Sequence, residues 1–279
     1  MKVGLYLRNM GPQSTRPLIA DAARAAEEAG IDDLWVADHL ALAPEDSEGS
    51  GGRYLEPLAT LAFLAGITER VGLGVGVLIV PYRPALLSAK WIATIQELSG
   101  ERLILGVGVG WMEKEFRALG VDPKRRGAIT DATLAFLRAC FAADEVETNG
   151  QPFLFRPRPK RPPIIVGGAP PHAIRRAVRF GDGWMPTAMH ADGMEVGIAS
   201  LREGMAAAGK PPPEVVLLQA LPLDDDQALA SRLGELRALG VTRVVHPWRY
   251  EDAEEVARVA ARLVAAREAG DTTLAGHPR

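Results

Sequence analysis

The chain has 279 residues, of which 47% are hydrophobic and 24% are charged, and its formal net charge is −3 at pH 7. This composition supports a large core and lacks the basic excess that a nucleic-acid partner requires. The single cysteine, Cys140, excludes an internal disulfide, and no apolar run approaches the length of a membrane span. The first residues enter a strand pattern without a signal-peptide cleavage site, so we expect a cytoplasmic protein with no membrane partner.

Strand and helix patterns alternate along the chain from its first residues. Strands are predicted at residues 2–7, 33–38, 71–80, 102–109, 163–166, 183–188, 215–221 and 242–246. Helices are predicted at residues 16–29, 56–68, 85–98, 126–141, 170–180, 194–208, 227–239 and 252–267. A short helix at 112–119 and a hairpin at 146–155, which turns at Asn149-Gly150, are expected in the connection after the fourth strand. Residues 270–279 are polar and are expected to fray.

Eight strands in strict alternation with helices predict a single (β/α)8 TIM barrel with short insertions over residues 1–269. The alternative is a doubly wound open sheet, which more often has fewer strands. In a barrel, the carboxyl ends of the strands and the loops that follow them line the functional site. The glycines that close the helices lie at the opposite end and are expected to serve stability.

The stretch after the fifth strand is typical of an anion site. Gly167 and Gly168 have no side chains to keep a ligand from the backbone, and two prolines then open a helix. Free amides near Gly167, Gly168, Ala169, His172 and Ala173 could converge on a phosphate at the positive end of the helix dipole. The alternative is a tight turn that binds nothing.

Glycines alternate with apolar residues in the third and fourth strands. Because glycine weakens a strand interior, its repetition indicates that a large group approaches the backbone. Trp35, Trp111, Trp184 and Trp248 are near in the predicted barrel, and these features together suit a flat ring with a phosphorylated tail. The alternative for the tryptophans is plain core, which is the expectation for Trp35. The alternative is that small residues only balance large ones across the barrel layers. The glycines concerned are Gly72, Gly74, Gly76, Gly106, Gly108 and Gly110.

Three histidines and an aspartate stand at or beyond the predicted strand ends. Asp38, His39, His190 and His246 are acceptable metal ligands, but there is no His-x-His pair and few acidic residues lie at the other strand ends. We therefore predict no metal. A Schiff-base aldolase would need a lysine inside a strand, and the only strand lysine, Lys2, lies at the opposite end of the barrel.

Four blocks of the sequence resemble the luciferase-like monooxygenase superfamily, the flavin- and deazaflavin-dependent barrels of the bacterial-luciferase type. The blocks are AGIDDLWVADH at 29–39, GVGVLIVP at 74–81, LSGERLILGVGVGW at 98–111 followed by Glu115-Phe116, and VGG at 166–168 with GDGW at 181–184. They occur in the family's order and cover most of the chain. The short length resembles the branch that uses coenzyme F420.

The resemblance implies positions for the coenzyme and for the reacting group. His39 would be the catalytic residue beside the reactive ring, next to Asp38, and a non-proline cis peptide at Gly76-Val77 would lie behind the ring. The fourth strand and the turn after the fifth would meet the ribityl and phosphate groups through Gly106, Gly108, Gly110, Gly167, Gly168 and Ala169. A homodimer is the usual assembly of such barrels.

The resemblance thus implies an enzyme that transfers a hydride between F420 and a small organic substrate. One alternative is an FMN-dependent monooxygenase that uses reduced flavin and O2, and another is a flavin-binding barrel without catalysis. Trp111 stands where the sugar-phosphate dehydrogenase branch has an acidic glutamate, so that chemistry is not expected here. Glu113 and Glu115 are expected to be solvated loop charges or helix-capping residues.

Overall fold

Ten strands occur in residues 1–187 and 191–275, which the computed structural model describes. In chain order they are β1 (Lys2–Tyr6), β2 (Asp33–Val36), β3 (Gly72–Ile79), β4 (Leu103–Gly108), β5 (Glu145–Thr148), β6 (Gln151–Leu154), β7 (Ile164–Gly167), β8 (Gly183–Met185), β9 (Glu214–Leu218) and β10 (Arg243–His246). Eight of them close into a barrel in the order β1-β10-β9-β8-β7-β4-β3-β2, and β5 pairs with β6 as an antiparallel hairpin. The predicted TIM barrel and hairpin are both confirmed.

Helices connect the barrel strands and cover their outer side. They are α1 (Arg16–Glu28), α2 (Pro57–Ala65), α3 (Ala85–Leu98), α4 (Glu113–Ala118), α5 (Arg126–Ala142), α6 (His172–Phe180), α7 (Ala191–Ala207), α8 (Asp226–Leu239) and α9 (Ala253–Ala275). The last helix continues beyond its predicted end at residue 267, and the end of the predicted tail, 276–279, lies outside the described residues. None of the helices in the described ranges is long and apolar enough to cross a bilayer.

Two element boundaries differ from the prediction because of prolines. β8 ends at Met185 rather than at residue 188, since Pro186 has no N–H with which to continue the strand ladder. The peptide between Pro170 and Pro171 is cis, Pro171 is the N-cap residue, and α6 begins at His172. The two prolines therefore precede the helix instead of forming its first turn.

Side chains of the barrel strands alternate between an inner cluster and an outer layer. The inner cluster fills the barrel and consists of Tyr6, Trp35, Ala37, Ile104, Ile165, Met185, Val216 and Val245. The outer layer packs the strands against the helices and includes Leu5, Leu34 and Val244. This alternation determines which residues at the strand ends can face a ligand in the mouth of the barrel.

A buried ion pair closes the barrel at the amino ends of its strands. Arg243, the first residue of β10, pairs with Asp33, the first residue of β2, and its Nη2 also lies 3.1 Å from a carboxylate oxygen of Glu214. The indole N–H of Trp35 donates to the same Asp33 carboxylate. Since side chains fill this end of the barrel, the functional space lies at the other end.

Candidate active site

A cavity of about 470 Å³ lies at the carboxyl ends of the barrel strands. Its wall includes Tyr6 from β1, Ile79 from β3, Met185 from β8 and Leu218 from β9. Eight of the ten predicted site residues also line it, namely Asp38, His39, Gly76, Val77, Gly108, Gly110, Gly167 and Gly168. Gly106 and Ala169, the other two, lie outside its wall.

An irregularity in β3 shapes one wall of the cavity. The register of β3 with β4 shifts within residues 75–78, and the peptide between Gly76 and Val77 is cis, as the resemblance implied. The Val77 side chain lies 2.5 and 2.7 Å from the positions that a Cβ at Gly108 and at Gly167 would take. These two glycines are therefore required by the packing of Val77, and their backbone atoms form part of the cavity wall.

Part of the glycine alternation has a cause other than a ligand. A Cβ at Gly74 would collide with the indole of Trp35, and a Cβ at Gly106 would collide with the carbonyl oxygen of Val75. Protein atoms already fill both spaces. The expectation that these glycines make room for a bound ring is therefore wrong at Gly74 and at Gly106.

The four tryptophans expected near the ring are spread over the barrel. Trp111 lies in the cavity wall and is 74% exposed. Trp35 belongs to the inner cluster, and Trp248 packs against the outer layer. Trp184 is buried in the outer layer, where its Nε1–H donates to the carbonyl of Gly168 at 2.8 Å. Trp111 is thus the one that can contact a ligand in the cavity.

His39, which follows β2, is held by a buried carboxylate. Its Nδ1 lies 2.8 Å from Oε2 of Glu115, and the Tyr82 hydroxyl lies 3.0 Å from the same oxygen. The backbone N–H groups of Leu40 and Ala41 donate to Oε1 at 2.7 and 3.0 Å. Four donors therefore fix one carboxylate, which in turn fixes the imidazole at the cavity wall.

Glu115 acts as an ionised acceptor in this group. Burial alone would raise the pKa of Glu115, but N–H donation by Ala41, Leu40 and His39 outweighs burial and lowers that pKa. An ionised carboxylate only accepts, so Tyr82 and Nδ1 of His39 both donate to it. The neutral imidazole then carries its hydrogen on Nδ1, which leaves Nε2 free to accept and return a proton.

The expectation of a solvated or helix-capping role for Glu115 is therefore wrong. Its side chain is fully buried, and the neighbouring Phe116 on α4 is buried with it. α4 is short and most of its residues are charged, so Glu115 looks solvated when only this helix is considered. The available signal was its position beside Phe116 in one of the family blocks.

Asp38 lies in the cavity wall, but its carboxylate faces other protein groups. Oδ2 accepts the N–H of Ile79 at 2.8 Å, and Arg83 makes two contacts with the carboxylate at 2.7 and 2.8 Å. Arg83 also pairs with Glu56 at 2.6 Å. The Asp38 side chain thus ties the end of β2 to the end of β3, and its backbone remains for a ligand.

The predicted anion pocket at α6 has fewer donors than expected. The N–H of Gly168 donates to the carbonyl of Met185 at 3.1 Å, and that of Ala173 donates to Ala169 at 3.2 Å. The amides that remain to bind an anion are those of Ala169, which precedes α6, and of His172, the first residue of α6. Arg176, one turn further along α6, is paired with Asp131 at 2.6 Å, so its positive charge near the pocket is largely neutralised.

His246 does not reach the cavity. It follows Val245, which points into the barrel, so the alternation of the strand directs His246 into the outer layer. There its Nδ1 accepts the N–H of Leu221 at 2.9 Å, and burial lowers the pKa of His246 to about 4. His190 lies outside the described residues. His39 is therefore the predicted histidine that lines the cavity.

Comparison with known proteins decides the family. The family model described as luciferase-like monooxygenase matches residues 8–277. The chain belongs to this family. The resemblance of the four sequence blocks is thereby confirmed, and so is the general expectation of a luciferase-like oxidoreductase.

Known luciferase-like proteins that resemble this chain differ in their chemistry. An F420-dependent glucose-6-phosphate dehydrogenase from Kineococcus radiotolerans is 31% identical over 229 residues, which are 76% of this chain and 66% of that protein. The structure of monooxygenase RslO1 from Streptomyces bottropensis has a TM-score of 0.79 at 20% identity and covers 96% of this chain and 100% of its own. An F420-dependent secondary alcohol dehydrogenase in complex with an F420-acetone adduct has a TM-score of 0.77 at 17% identity, with coverages of 95% and 98%.

Proposed function

We propose that this luciferase-like protein transfers a hydride between F420 and a small organic substrate in the cavity. The observation that carries the proposal is the imidazole of His39, which the buried carboxylate of Glu115 holds at the cavity wall. Relatives whose names include F420 support the choice of coenzyme. The substrate is placed beside His39 because hydride transfer to or from a carbonyl carbon also requires a proton at its oxygen.

The residues around the cavity suit a flat ring with a phosphorylated tail. Gly167 and Gly168 line the cavity with backbone atoms, and the nearest atom to a Cβ built on Gly168 is the Cβ of Ala173 at 3.5 Å, so a ligand can approach at Gly168. Ile79 and Met185 supply apolar wall. Bound there, F420 supplies the hydride chemistry, and the protein binds, orients and shields it.

His39 is the group that moves the proton in this proposal. When an alcohol carbon loses a hydride, its hydroxyl proton has to leave, and Nε2 of His39 accepts it. In the reverse direction Nε2 returns the proton to the carbonyl oxygen. Glu115 stabilises the imidazolium that forms, because its carboxylate accepts from Nδ1 at 2.8 Å and is itself fully buried.

A titration with two coenzymes tests this function. F420 and FMN are added separately to the protein, and binding is followed by the fluorescence of tryptophan, since Trp111 lines the cavity. We expect F420 to bind more tightly and to be reduced or oxidised in the presence of alcohols or ketones. Tight FMN binding with no F420 binding would favour the monooxygenase alternative, for which the likeness to RslO1 speaks. Bound coenzyme without turnover across a broad panel of substrates would favour a non-catalytic barrel.

A charge at Ala169 tests the phosphate position. Ala169 is exposed and precedes α6, so Ala169→Asp places a carboxylate beside the amides proposed to hold the phosphate. Because like charges brought together cost several kcal/mol, the dissociation constant of the coenzyme is expected to rise by about 100-fold or more. Gly168 is a poorer position for this test, since its φ of 125° makes any side chain strained.

Ala169→Asn is the matched control for this substitution, because it has nearly the same shape without the charge. Its coenzyme affinity is expected to remain within roughly a few-fold of the native value, as for a neutral surface change. Equal affinities of the Asp and Asn variants would place the phosphate elsewhere.

We also propose a homodimer that uses the exposed side of α3. Leu87, Trp91 and Leu98 are 51%, 37% and 64% exposed, and their spacing of four and seven residues puts them along one side of the helix. Such a row of large apolar side chains is typical of a surface that is covered in an assembly. A second copy of the chain would cover it.

A further inference from the structure

Arg8 stands at the mouth of the barrel just beyond β1. Tyr6 and Met10 pack with the inner cluster, whereas Leu7 belongs to the outer layer, so the alternation of the chain places Arg8 on the inner side. The backbone N–H of Arg8 donates to the hydroxyl of Tyr250 at 3.1 Å. Tyr6 itself lines the cavity, and Arg8, two residues further along the chain, follows it at the rim on the β1 side, outside the cavity wall.

Three tyrosine hydroxyls lie close enough to Arg8 to feel its charge. Burial raises the pKa values of Tyr6, Tyr54 and Tyr250, and the positive charge of Arg8 opposes that rise at all three hydroxyls. The Tyr54 ring packs edge-on against His39, with 5.1 Å between the ring centroids. Tyr54 thus connects the surroundings of Arg8 with the proposed catalytic imidazole.

Arg8 has no anionic partner among the residues that the structure describes. It is half-buried, and its Nε is fully buried without a hydrogen-bond acceptor. A buried N–H without an acceptor is costly, and a cation without a counter-charge more so. Three less exposed arginines have carboxylate partners, in the pairs Arg83 with Asp38, Arg243 with Asp33 and Arg176 with Asp131. Arg102, which is half-buried like Arg8, donates to backbone carbonyls and to the Thr68 hydroxyl instead.

Arg8 is also far from the proposed phosphate position. In the ring order β1-β10-β9-β8-β7-β4-β3-β2, β7 is four strands from β1 in either direction, which is the opposite side of the barrel. The amides of Ala169 and His172 follow β7, whereas Arg8 follows β1. A ligand group at Arg8 is therefore separate from a coenzyme phosphate at α6.

We propose that Arg8 binds an anionic group, a carboxylate or phosphate, that belongs to the substrate. The assignment of the anion to a substrate rests on the proposed function, whereas the anion site itself rests on Arg8. Nη1 and Nη2 of the guanidinium, which unlike Nε are not buried, would donate to the anion, and the anchored substrate would extend past Tyr54 toward His39. The substrate class is then an organic acid or phosphate ester that carries its reacting carbon apart from the anionic end.

Benzoate and benzamide are the probes, because they share a ring and differ in charge. Their binding is measured by calorimetry on the native protein, on Arg8→Met, on Arg8→Lys and on Arg249→Met, which removes an exposed arginine from the same rim. Benzoate is expected to bind the native protein at least about tenfold more tightly than benzamide does, and Arg8→Met to weaken benzoate binding by about 10- to 100-fold. Benzamide affinity is expected to stay constant, Arg8→Lys to retain part of the benzoate affinity, and Arg249→Met all of it.

Equal benzoate affinity in the native protein and in Arg8→Met would overturn the proposal, and so would the absence of saturable benzoate binding. If circular dichroism shows that Arg8→Met does not fold, Arg8→Lys takes its place. The test is then whether the preference for benzoate over benzamide is smaller in Arg8→Lys than in the native protein.

Repeating the titration with saturating F420 identifies the source of the anion. Benzoate binding that persists with F420 bound assigns the site to the substrate. Displacement of benzoate by F420, together with weaker F420 binding in Arg8→Met, assigns the site to the coenzyme's own anionic tail. That second result would overturn the substrate assignment. Arg8-dependent benzoate binding in a protein that binds neither F420 nor FMN would refute the proposed function alone.

Discussion

Replacing His39 with alanine is expected to lower turnover by roughly 10²- to 10⁴-fold, the usual contribution of a positioned proton-transfer group. The loss follows from geometry, because Nδ1 is engaged by Glu115 at 2.8 Å and Nε2 is the nitrogen that remains for the substrate. The melting temperature is expected to change little, since the imidazole is partly exposed and Glu115 keeps its donors from Leu40, Ala41 and Tyr82. Steady-state kinetics and a thermal melt of the same sample measure both quantities.

Glu115→Gln separates proton transfer from simple ring placement. The amide has the shape of the carboxylate but no charge, so it stabilises the imidazolium less and no longer selects the Nδ1–H form. Turnover is expected to fall by roughly 10- to 100-fold, by analogy with the loss when a partner that orients a metal-binding histidine is removed. The double variant with His39→Ala is expected to be no slower than His39→Ala alone.

The outcome of the His39 substitution has three distinguishable forms. A loss mainly in coenzyme affinity, with turnover of the bound complex preserved, would make His39 a residue that holds the ring. Normal turnover would make it structural. A fall in turnover with unchanged coenzyme affinity is the result that the proposed role requires.

Arg243→Met is expected to lower the free energy of unfolding by about 3–5 kcal/mol, because it leaves the Asp33 carboxylate buried without its partner. Arg243 is 3% exposed and Asp33 is fully buried at the closed end of the barrel. Burial lowers the pKa of Arg243 to about 10 despite the attraction of Asp32, so the side chain is still a cation at neutral pH. Urea unfolding measures the change.

Arg262→Met is the matched control for the buried pair. Arg262 contacts Asp226 at 2.6 Å, but their side chains are 40% and 84% exposed. Solvent-exposed pairs contribute about 0–1 kcal/mol, so this variant is expected to unfold almost as the native protein does. If both variants lost the same small amount of unfolding free energy, the buried ion pair would not be required for the stability of the barrel at the amino ends of its strands.

The sequence by itself determined the barrel and the end of it that carries the cavity. Strand patterns of period two and helix patterns of period 3.6 are local, so they can be read from neighbouring residues. Eight strands separated by helices leave few ways to pair in parallel. The turn at Asn149-Gly150 is likewise local, and both residues have the positive φ that a tight hairpin turn requires.

Only the tertiary structure decided which residues act on one another. Glu115 reaches His39 across 76 positions, and no local pattern indicates that a glutamate on a short helix will be buried there. The same limit applies to Gly74, whose missing side chain makes room for Trp35 on the neighbouring strand. It applies also to Arg8, whose lack of an acidic partner within the described part of the chain is visible only when its surroundings are known. Contacts of this kind depend on distances between elements that are remote in sequence, and packing alone sets those distances.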